Sequence, residues 1–486
     1  MSLVELSAHI ERQLMGEDVQ INGLTADSRQ VEPGYLFAAV SGGHYAGERF
    51  ISDAIEKGAV AIITDHEVPD LSISQLVVKN TRKSLAAVAM KFFENPAEKV
   101  RSIAVTGTNG KTTCAHLIGS QLERSGIKTG LIGTLGAQLG DWSTKTGYTT
   151  PDAVTLAELY VDMIGRGAGA IVIEASSHAL EQSRVHSVSF DCGLFTNLTP
   201  EHLDYHGDMG AYFDAKNILF SECLKDDGVA VIPLNVDWRQ KIGTSNILTY
   251  SFEPNAKADV ALELVTYERG KTILKLRLGG TMCPVSMPLV GRFNVENAVA
   301  SAAVSYALSL EVDAIAEGLM MADPVAGRFE QINLTGHPLV IVDYAHTPDA
   351  LENLLEAARE ITKGKLVCVF GCGGDRDVEK RPVMGAISTR LSDFVIVTSD
   401  NPRSERPDAI VDAIVAGMKN DKGKMEFHIE LDRRKAIEKA ICETDQDGCV
   451  VIAGKGHEDY QIIGKEVTYF DDRVCAREIL RALEEV

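Results

Sequence analysis

The sequence predicts an α/β protein with three domains. Short β-branched runs alternate with helix-like stretches in three successive blocks, which is the pattern of mainly parallel sheets covered by helices. The chain has 486 residues, and a typical domain size of roughly 150 residues suggests about three domains. Pro96 lies in a polar stretch, and the segment 324–327 contains proline and glycine, so we place the domains at 1–96, 97–326 and 327–486.

Each block contains recognisable elements. In the first, we predict a helix at 81–93 and strands at 35–40, 60–64 and 76–78. In the second, Gly126 can end a helix at 111–125, and a second helix covers 295–308. Polar and apolar residues alternate over 259–290, as in antiparallel strands. The other predicted strands lie at 102–105, 131–132, 170–174, 193–195, 229–232, 339–342, 365–370, 394–398 and 449–453.

Composition excludes several classes of protein. The chain has 48 Lys and Arg against 69 Asp and Glu, a formal charge of −21, whereas binding to nucleic-acid phosphates depends on Lys and Arg. No segment approaches the roughly 20 apolar residues of a membrane span, and the N-terminus has no apolar leader. The nine cysteines contain no C-x-x-C pair, which favours reduced core thiols. We therefore expect a cytoplasmic protein that binds no nucleic acid and has no membrane span.

Residues 106–113 read TGTNGKTT and lie between a predicted strand and a predicted helix. Glycines let backbone N–H groups approach phosphates, and the helix N-terminus adds a positive dipole. Lys111 would add a charge, and the hydroxyl of Thr112 can bind Mg²⁺. The usual P-loop has glycine where this chain has Val105, so the loop is a variant. The phosphate-binding residues that we expect are Gly107, Thr108, Asn109, Gly110, Lys111, Thr112 and Thr113.

Seven motifs in a fixed order give the chain a family resemblance. They are DSR at 27–29, the loop at 106–113, EASSH at 174–178, LTPEHLDYHG at 198–207, GRFN at 291–294, DYAH at 343–346 and GKGHED at 454–459. On these motifs the chain resembles the Mur ligases, ATP-dependent amide-forming enzymes of peptidoglycan precursor synthesis, over essentially its whole length. Within that family it is most similar to the MurE type.

The resemblance implies a fold and an activity. The N-terminal α/β domain would bind uridine, the central domain would be a P-loop-type ATPase domain with a mainly parallel sheet, and the C-terminal domain would be Rossmann-like. The chain would join meso-2,6-diaminopimelate to UDP-N-acetylmuramoyl-L-alanyl-D-glutamate through an acyl phosphate, with ATP as co-substrate. These small molecules would be its partners, and we expect a monomer.

A metal site is expected beside the phosphate loop. Glu174 ends an apolar strand, where its carboxylate would face the crevice at the carboxyl end of the sheet. Mg²⁺ prefers hard oxygen ligands, which Thr112 and Glu174 offer. The resemblance implies a second Mg²⁺ held by His202 and by Lys216, with Lys216 carbamylated by CO₂. Without the family resemblance, Lys216 would be interpreted as a surface lysine and His202 as a structural histidine. The catalytic residues implied are Lys111, Glu174, His202 and Lys216.

Further contacts are carried over from the family. Asn294, Arg328 and Asp343 match nucleotide contacts, although Asn294 could equally be the N-cap of the following helix. Arg328 follows the hinge at 324–327 and would reach back to the ATP phosphates. Arg184 can bind a carboxylate or phosphate bidentately. The UDP-substrate contacts implied are Ser28, His44, Tyr45, Ala46, Thr149, Thr150, Ser176, Gln182 and Arg184.

DNPR at 400–403 follows the predicted strand 394–398 and is also a good turn sequence. In the family, DNPR marks the enzymes that add meso-diaminopimelate. Arg403 can pair with the second carboxylate of this amino acid, and Glu458 with its ammonium. The diaminopimelate contacts implied are Arg381, Asp400, Asn401, Pro402, Arg403, Gly454 and Glu458. The run GCGGDR at 371–376 does not fit the dinucleotide pattern G-x-G-x-x-G, because Arg376 stands at the third glycine.

Three other functions compete with this one. The first is a sister ligase that adds L-lysine or another amino acid to the same acceptor. The second is a nucleotide-gated binding protein without catalysis, against which the intact Lys111, Thr112, Glu174, His202 and Lys216 argue. The third is a plain P-loop ATPase or kinase, which would turn over ATP without both co-substrates.

Overall fold

The computed structural model describes residues 1–41, 47–268, 271–418 and 427–484. These residues form three α/β units, each with a largely parallel sheet, which confirms the predicted fold class. Within the same residues, no helix has both the length and the apolar character that crossing a membrane requires.

The N-terminal unit is one sheet with helices packed against it. Its strands pair in the order β1-β5-β4-β3-β2, and β1 alone is antiparallel to its neighbour. Asn80 caps α3 by accepting a hydrogen bond from the N–H of Lys83 at 3.0 Å. The elements are β1 (Arg12–Met15), β2 (Gly23–Thr25), β3 (Tyr35–Ala38), β4 (Ala61–Thr64), β5 (Ser74–Val78), α1 (Leu3–Leu6), α2 (Ile51–Glu56) and α3 (Thr81–Phe92).

The central unit carries the largest sheet. Its strands are β6 (Arg101–Thr106), β7 (Thr129–Gly133), β8 (Gly136–Leu139), β9 (Trp142–Thr144), β10 (Ala170–Glu174), β11 (Phe190–Phe195), β12 (Leu224–Pro233), β13 (Ile247–Ser251), β14 (Val260–Glu268), β15 (Lys271–Leu278) and β16 (Thr281–Met287). Its helices are α4 (Lys111–Arg124), α5 (Ala153–Gly165), α6 (Ser177–Glu181), α7 (Leu203–His206), α8 (Met209–Glu222), α9 (Arg292–Ala307) and α10 (Val312–Met320).

The strand order of this sheet positions the phosphate loop. The order is β16-β15-β14-β13-β12-β11-β6-β10-β7-β8-β9, and β6 lies between β11 and β10, parallel to both. Ligands of open α/β sheets bind in the crevice at the carboxyl ends of such central strands. The loop that follows β6 therefore opens into that crevice. The strands β14, β15 and β16 pair antiparallel, as predicted for 259–290.

The C-terminal unit is a second doubly wound sheet with a separate hairpin. The sheet order is β17-β18-β22-β19-β20-β21, parallel apart from β17, and β23 pairs with β24 in a two-stranded sheet. The strands are β17 (Glu330–Ile332), β18 (Leu339–Asp343), β19 (Leu366–Phe370), β20 (Phe394–Val397), β21 (Phe427–Ile429), β22 (Cys449–Ala453), β23 (Tyr460–Ile463) and β24 (Glu466–Tyr469). The helices are α11 (Pro348–Ile361), α12 (Lys380–Leu391), α13 (Pro407–Met418), α14 (Arg433–Cys442) and α15 (Asp472–Glu484).

One local expectation is wrong. The helix α9 begins at Arg292 with Gly291 as its N-cap, so Asn294 is inside the first turn and does not cap it. The segment around Pro96 is a short 3₁₀ turn in which Pro96 and Ala97 are buried. All nine cysteines are free and eight are buried, as expected for core thiols, whereas Cys442 is exposed.

Candidate active site

A cavity of about 720 Å³ lies between the central and C-terminal units. The central unit lines it with the phosphate loop and the ends of β10 and β11, and the C-terminal unit adds residues that follow β18. It therefore brings together, from distant parts of the chain, the predicted residues Thr108, Asn109, Gly110, Lys111, Thr112, Thr113, Thr149, Glu174, Ser176, His202, Arg328 and Asp343.

The phosphate loop depends on two glycines with positive φ. Gly107 has a φ of 141° and Gly110 a φ of 86°, which L side chains rarely adopt. A Cβ atom at Gly107 would lie 1.9 Å from Thr196 Oγ1. The ammonium of Lys111 donates to the carbonyl oxygens of Gly107 and Thr108 at 2.9 and 2.8 Å. Burial lowers the pKa of Lys111, and nearby carboxylates oppose this effect.

Glu174, at the end of β10, contacts this loop through its carboxylate. Its Oε2 atom accepts from Thr112 Oγ1 at 2.9 Å and from Thr134 Oγ1 at 3.0 Å, while its Oε1 atom accepts from the N–H of Thr134 at 2.9 Å. Glu174 is only 2% exposed. The predicted pair of hard oxygen donors, Thr112 and Glu174, is thus formed, and Thr134 is a contact that sequence reasoning missed.

Lys216 is not a surface lysine. It is 1% exposed, its Nζ atom donates to the carbonyl oxygen of Gly107 at 2.8 Å, and the same atom lies 4.3 Å from the ring centroid of Tyr212. Burial, followed by the charge of Lys111, lowers the pKa of Lys216 well below its usual value. Lys216 therefore lies beneath the phosphate loop.

Glu201 was missed as a site residue although it stands next to His202. Its carboxylate lies 3.8 Å from His202 Nε2 and 3.8 Å from Nε2 of His346 in the C-terminal unit. Burial alone would raise the pKa of Glu201, but His202, His346 and the two lysines Lys111 and Lys216 lower it. Glu201 is therefore ionised at neutral pH and lies near the two lysines Lys111 and Lys216.

His202 belongs to a cluster of aromatic and imidazole rings. Its ring centroid lies 4.8 Å from that of His178, which in turn lies 5.3 Å from that of His206. His202 has a positive φ of 57°, unusual for a residue other than glycine. Burial lowers the pKa of His202 and lowers that of His178 to about 4, so neutral imidazoles are favoured at neutral pH.

The C-terminal unit touches the phosphate loop directly. Arg328 Nη2 donates to Thr112 Oγ1 at 3.3 Å, and Asn109 Nδ2 donates to Asp349 Oδ2 at 2.8 Å. Asp343 accepts from the N–H groups of Phe329 and Ala345 at 2.6 and 2.7 Å. It therefore connects the segment that follows the hinge at 324–327 to the end of β18. Arg328 thus reaches back to the loop, and its contact with ATP phosphates stays a prediction.

The predicted muramoyl-peptide contacts form one cluster at the end of β10. Thr150 Oγ1 donates to the carbonyl oxygen of Glu174 at 2.7 Å, and Arg184 donates to the carbonyl oxygen of Thr150 and to Gln182 Oε1, both at 2.8 Å. Thr149 Oγ1 lies 3.3 Å from Thr134 Oγ1. The structure does not bring Ser28 into this cluster: it is buried in a 3₁₀ turn of the N-terminal unit. The expected contacts His44, Tyr45 and Ala46 lie outside the described residues.

The predicted diaminopimelate contacts form a second cluster on the C-terminal sheet, outside the cavity lining. Asn401 Nδ2 donates to Glu458 Oε2 at 2.9 Å, and a Cβ atom at Gly454 would lie 2.7 Å from Asp400 Oδ2. Arg403 has a φ of 52° and donates to the carbonyl oxygen of Gly374 at 2.9 Å. Pro402 lies against Gly374, and Arg381, on α12, donates to the carbonyl oxygen of Gly373 at 3.3 Å.

Asn294 lies apart from both clusters. It is 3% exposed, its Nδ2 atom donates to the carbonyl oxygen of Val290 at 2.9 Å, and it is not among the described residues that line the cavity. Asn297, on the same helix, lines the cavity instead. A sequence motif cannot distinguish two asparagines that are three residues apart when the helix start is misplaced.

Comparisons with known proteins identify the architecture. The family model "Mur ligase family, catalytic domain" matches residues 20–105, "Mur ligase middle domain" matches 105–305, and "Mur ligase, glutamate ligase domain" matches 327–456. The proteins named UDP-N-acetylmuramoyl-L-alanyl-D-glutamate--2,6-diaminopimelate ligase from Gloeobacter violaceus and Aquifex aeolicus are 42% and 43% identical to this chain. Each alignment covers 95% of this chain and 94% of the relative.

Solved structures of Mur ligases also superpose on this chain. A structure of a UDP-N-acetylmuramoyl-L-alanyl-D-glutamate--2,6-diaminopimelate ligase superposes with a TM-score of 0.72 at 32% identity, over 100% of both chains. The MurF ligase from Thermotoga maritima in complex with ADP superposes with a TM-score of 0.65 at 20% identity, over 96% of this chain and 98% of that one. The second likeness concerns the fold alone.

Proposed function

Because the chain belongs to the Mur ligase family, we propose that it is the ATP-dependent ligase that adds meso-2,6-diaminopimelate to UDP-N-acetylmuramoyl-L-alanyl-D-glutamate in peptidoglycan precursor synthesis. The observation that carries the proposal is the convergence of Lys111, Thr112 and Glu174 on one cavity that Arg328 enters from another unit. Relatives with this name align over nearly the whole chain, which supports the choice of substrates.

The reaction has two steps. The D-glutamyl γ-carboxylate attacks the γ-phosphorus of ATP, which forms an acyl phosphate and releases ADP. The amine of diaminopimelate then attacks the acyl carbon, the C–N bond forms, and phosphate leaves. Lys111 and Arg328 neutralise charge on the transferring phosphoryl group, so the chain contributes mainly positioning and electrostatic stabilisation. Contact between the units excludes water from the hydrolysable acyl phosphate.

The donor set beside the loop is suited to Mg²⁺. Thr112 Oγ1 and Glu174 Oε2 lie 2.9 Å apart and are hard oxygen donors. In this proposal Thr112, Glu174, His202 and the carbamate of Lys216 hold two Mg²⁺ ions, which neutralise phosphate charge when bound. Lys216 is suited to carbamylation because burial lowers its pKa and only the neutral amine attacks CO₂.

Four further groups of residues complete the proposal. Arg403 and Glu458 bind the distal carboxylate and ammonium of diaminopimelate, and the remaining residues of that cluster surround them. Arg184 and its neighbours in the cluster at the end of β10 hold the acceptor. The uridine end is assigned to Ser28 and to residues 44–46. Asp343 and Asn294 remain proposed nucleotide contacts, and Asn294 would have to act through its neighbours.

An amide-product assay tests this function. The chain is incubated with ATP, the dipeptide nucleotide and diaminopimelate, and we expect mass spectrometry to detect the tripeptide nucleotide, with phosphate release dependent on both co-substrates. A Lys111→Gln variant is expected to form no detectable product. Preferential amide formation with L-lysine would identify the sister ligase instead, and phosphate release without an acceptor would identify a plain ATPase.

A further inference from the structure

The glycine run at 371–376 has no role in the reaction described so far. It follows β19, and it packs against the loop 400–405 that follows β20. The N–H of Gly374 donates to the carbonyl oxygen of Asn401 at 2.9 Å, and a Cβ atom at Gly374 would lie 1.8 Å from the carbonyl oxygen of Pro402. The two loops are therefore in backbone contact, which only glycine permits at this position.

Glu405, in the loop 400–405, contacts both Arg381 on α12 and the glycine run at 371–376. Its carboxylate accepts from Nη1 and Nη2 of Arg381 at 2.9 and 2.8 Å, in the parallel two-bond geometry of a strong ion pair. It also accepts from the N–H of Asp375 at 2.6 Å. The side chain of Arg381 is 3% exposed and that of Glu405 is 29% exposed. Arg381 and then the Asp375 amide lower the pKa of Glu405, so it is ionised at neutral pH.

The orientation of Arg381 depends on this carboxylate. Besides Glu405, its guanidinium reaches only the carbonyl oxygen of Gly373, at 3.3 Å, among the described residues. Its Nε atom is buried, and the part of the chain that the structure describes supplies no partner for it. Without Glu405, Arg381 would be an unpaired buried cation within the cluster of predicted diaminopimelate contacts. It could then pair with any carboxylate that entered.

Arg403 is fixed by the same assembly. Its Nη1 atom donates to the carbonyl oxygen of Gly374, and its backbone is held from the other side by the hairpin, because its N–H donates to the carbonyl oxygen of Ile462 at 3.1 Å. Glu405 lies two residues further along the same loop. A displacement of the glycine run would therefore move the carbonyl group that orients the Arg403 guanidinium.

We propose that Glu405 is a positioning residue for the amino-acid substrate: it locks Arg381 and the glycine run in place, so that Arg403 meets the distal carboxylate in one orientation. The inference rests on the proposed function and adds a residue that the sequence did not single out. Glu405 is not among the described residues that line the cavity, so we expect its effect to be confined to the amino-acid step.

The test compares Glu405→Gln with wild type in the amide-product assay. The amide keeps the size of the side chain and removes the charge, so we expect the KM for diaminopimelate to rise about 10-fold or more while kcat and the KM for ATP change less than about 3-fold. The preference for diaminopimelate over L-lysine, as a ratio of kcat/KM, is expected to fall, because an unpaired Arg381 offers a competing cation.

Two further variants separate positioning from general stability. Glu405→Asp keeps the charge, so its KM for diaminopimelate is expected to lie between those of wild type and Glu405→Gln. If Glu405→Gln fails to fold, Glu405→Asp is compared directly with wild type: we expect a higher KM for diaminopimelate, with kcat and the KM for ATP nearly unchanged. Glu478→Gln, which removes an exposed ion pair with Arg434 in the same unit, is the matched control and should leave every constant unchanged.

The outcomes distinguish the two levels of the proposal. Absence of amide product from the wild-type chain overturns the proposed function itself. An active wild type with an unchanged diaminopimelate KM in Glu405→Gln overturns the inference alone. An equal rise of the KM values for diaminopimelate and ATP also overturns it, because it would indicate a general loss of structure.

Discussion

The Nζ atom of Lys216 lies 2.8 Å from the carbonyl oxygen of Gly107, so a buried side-chain nitrogen contacts the underside of the phosphate loop. The two residues are 109 positions apart in the chain. An amine at this place is close to the glycine that shapes the loop and to the cation Lys111, which helps to depress its pKa.

Lys216 is expected to carry a carbamate. With ¹³C-labelled bicarbonate, the wild-type chain should give a carbamate carbonyl resonance that Lys216→Gln lacks. The lowered pKa favours the neutral amine, which is the form that reacts with CO₂. Amide synthesis should fall about 100-fold or more in the variant, because a preorganised charged group typically contributes that much. Lys439→Gln, at a surface ion pair, is the control.

Arg403→Lys is expected to weaken selection between amino acids. Lysine keeps the charge but loses the planar fork that pairs with a carboxylate, so the ratio of kcat/KM for diaminopimelate over L-lysine should fall roughly 10- to 100-fold. Competition between the two amino acids, with both amide products quantified, measures this ratio directly. Arg406→Lys, an exposed arginine three residues away, should leave it unchanged. An unaltered ratio in Arg403→Lys would remove the assigned role.

Asp349→Ala is expected to impair nucleotide use. Asp349 accepts from Asn109 of the phosphate loop at 2.8 Å across the two units, and loss of one such hydrogen bond corresponds to a change of about 3- to 10-fold in the KM for ATP. Initial-rate kinetics at saturating acceptor and amino acid give this value. The control is Glu352→Ala, on the same helix, whose carboxylate pairs with Arg390 on the surface. Equal effects of both variants would contradict a specific contact between the units.

Asp472→Ala is expected to destabilise the C-terminal unit. Asp472 and Arg433 form an ion pair at 2.7 Å with both side chains fully buried. Removing one partner leaves an uncompensated buried charge, and the free energy of unfolding should fall by about 3–5 kcal/mol. Removal of the exposed partner Glu478 from Arg434 should cost only about 0–1 kcal/mol. Urea titrations of both variants measure the difference, and comparable losses would be inconsistent with this account.

The sequence predicted the elements that carry the site. The strand 170–174 is found as Ala170–Glu174, the helix 111–125 as Lys111–Arg124, and the antiparallel region as three paired strands. These succeeded because hydrophobic periodicity and glycine turns are local properties of the chain. The helix start near Asn294 failed for the same reason: Gly291 and Asn294 are both acceptable caps locally, and only packing of α9 decided between them.

The order of motifs and the local strand and helix signals were sufficient to predict the fold class and to place the 106–113 loop between a strand and a helix. Tertiary structure alone decided that Lys216 lies under Gly107, that Glu201 faces His346, and that Glu405 forms an ion pair with Arg381. Each of these contacts joins segments that are far apart in the chain or on different loops. Their distances depend on how whole sheets and loops pack, which a local pattern of hydrophobicity and turns does not encode.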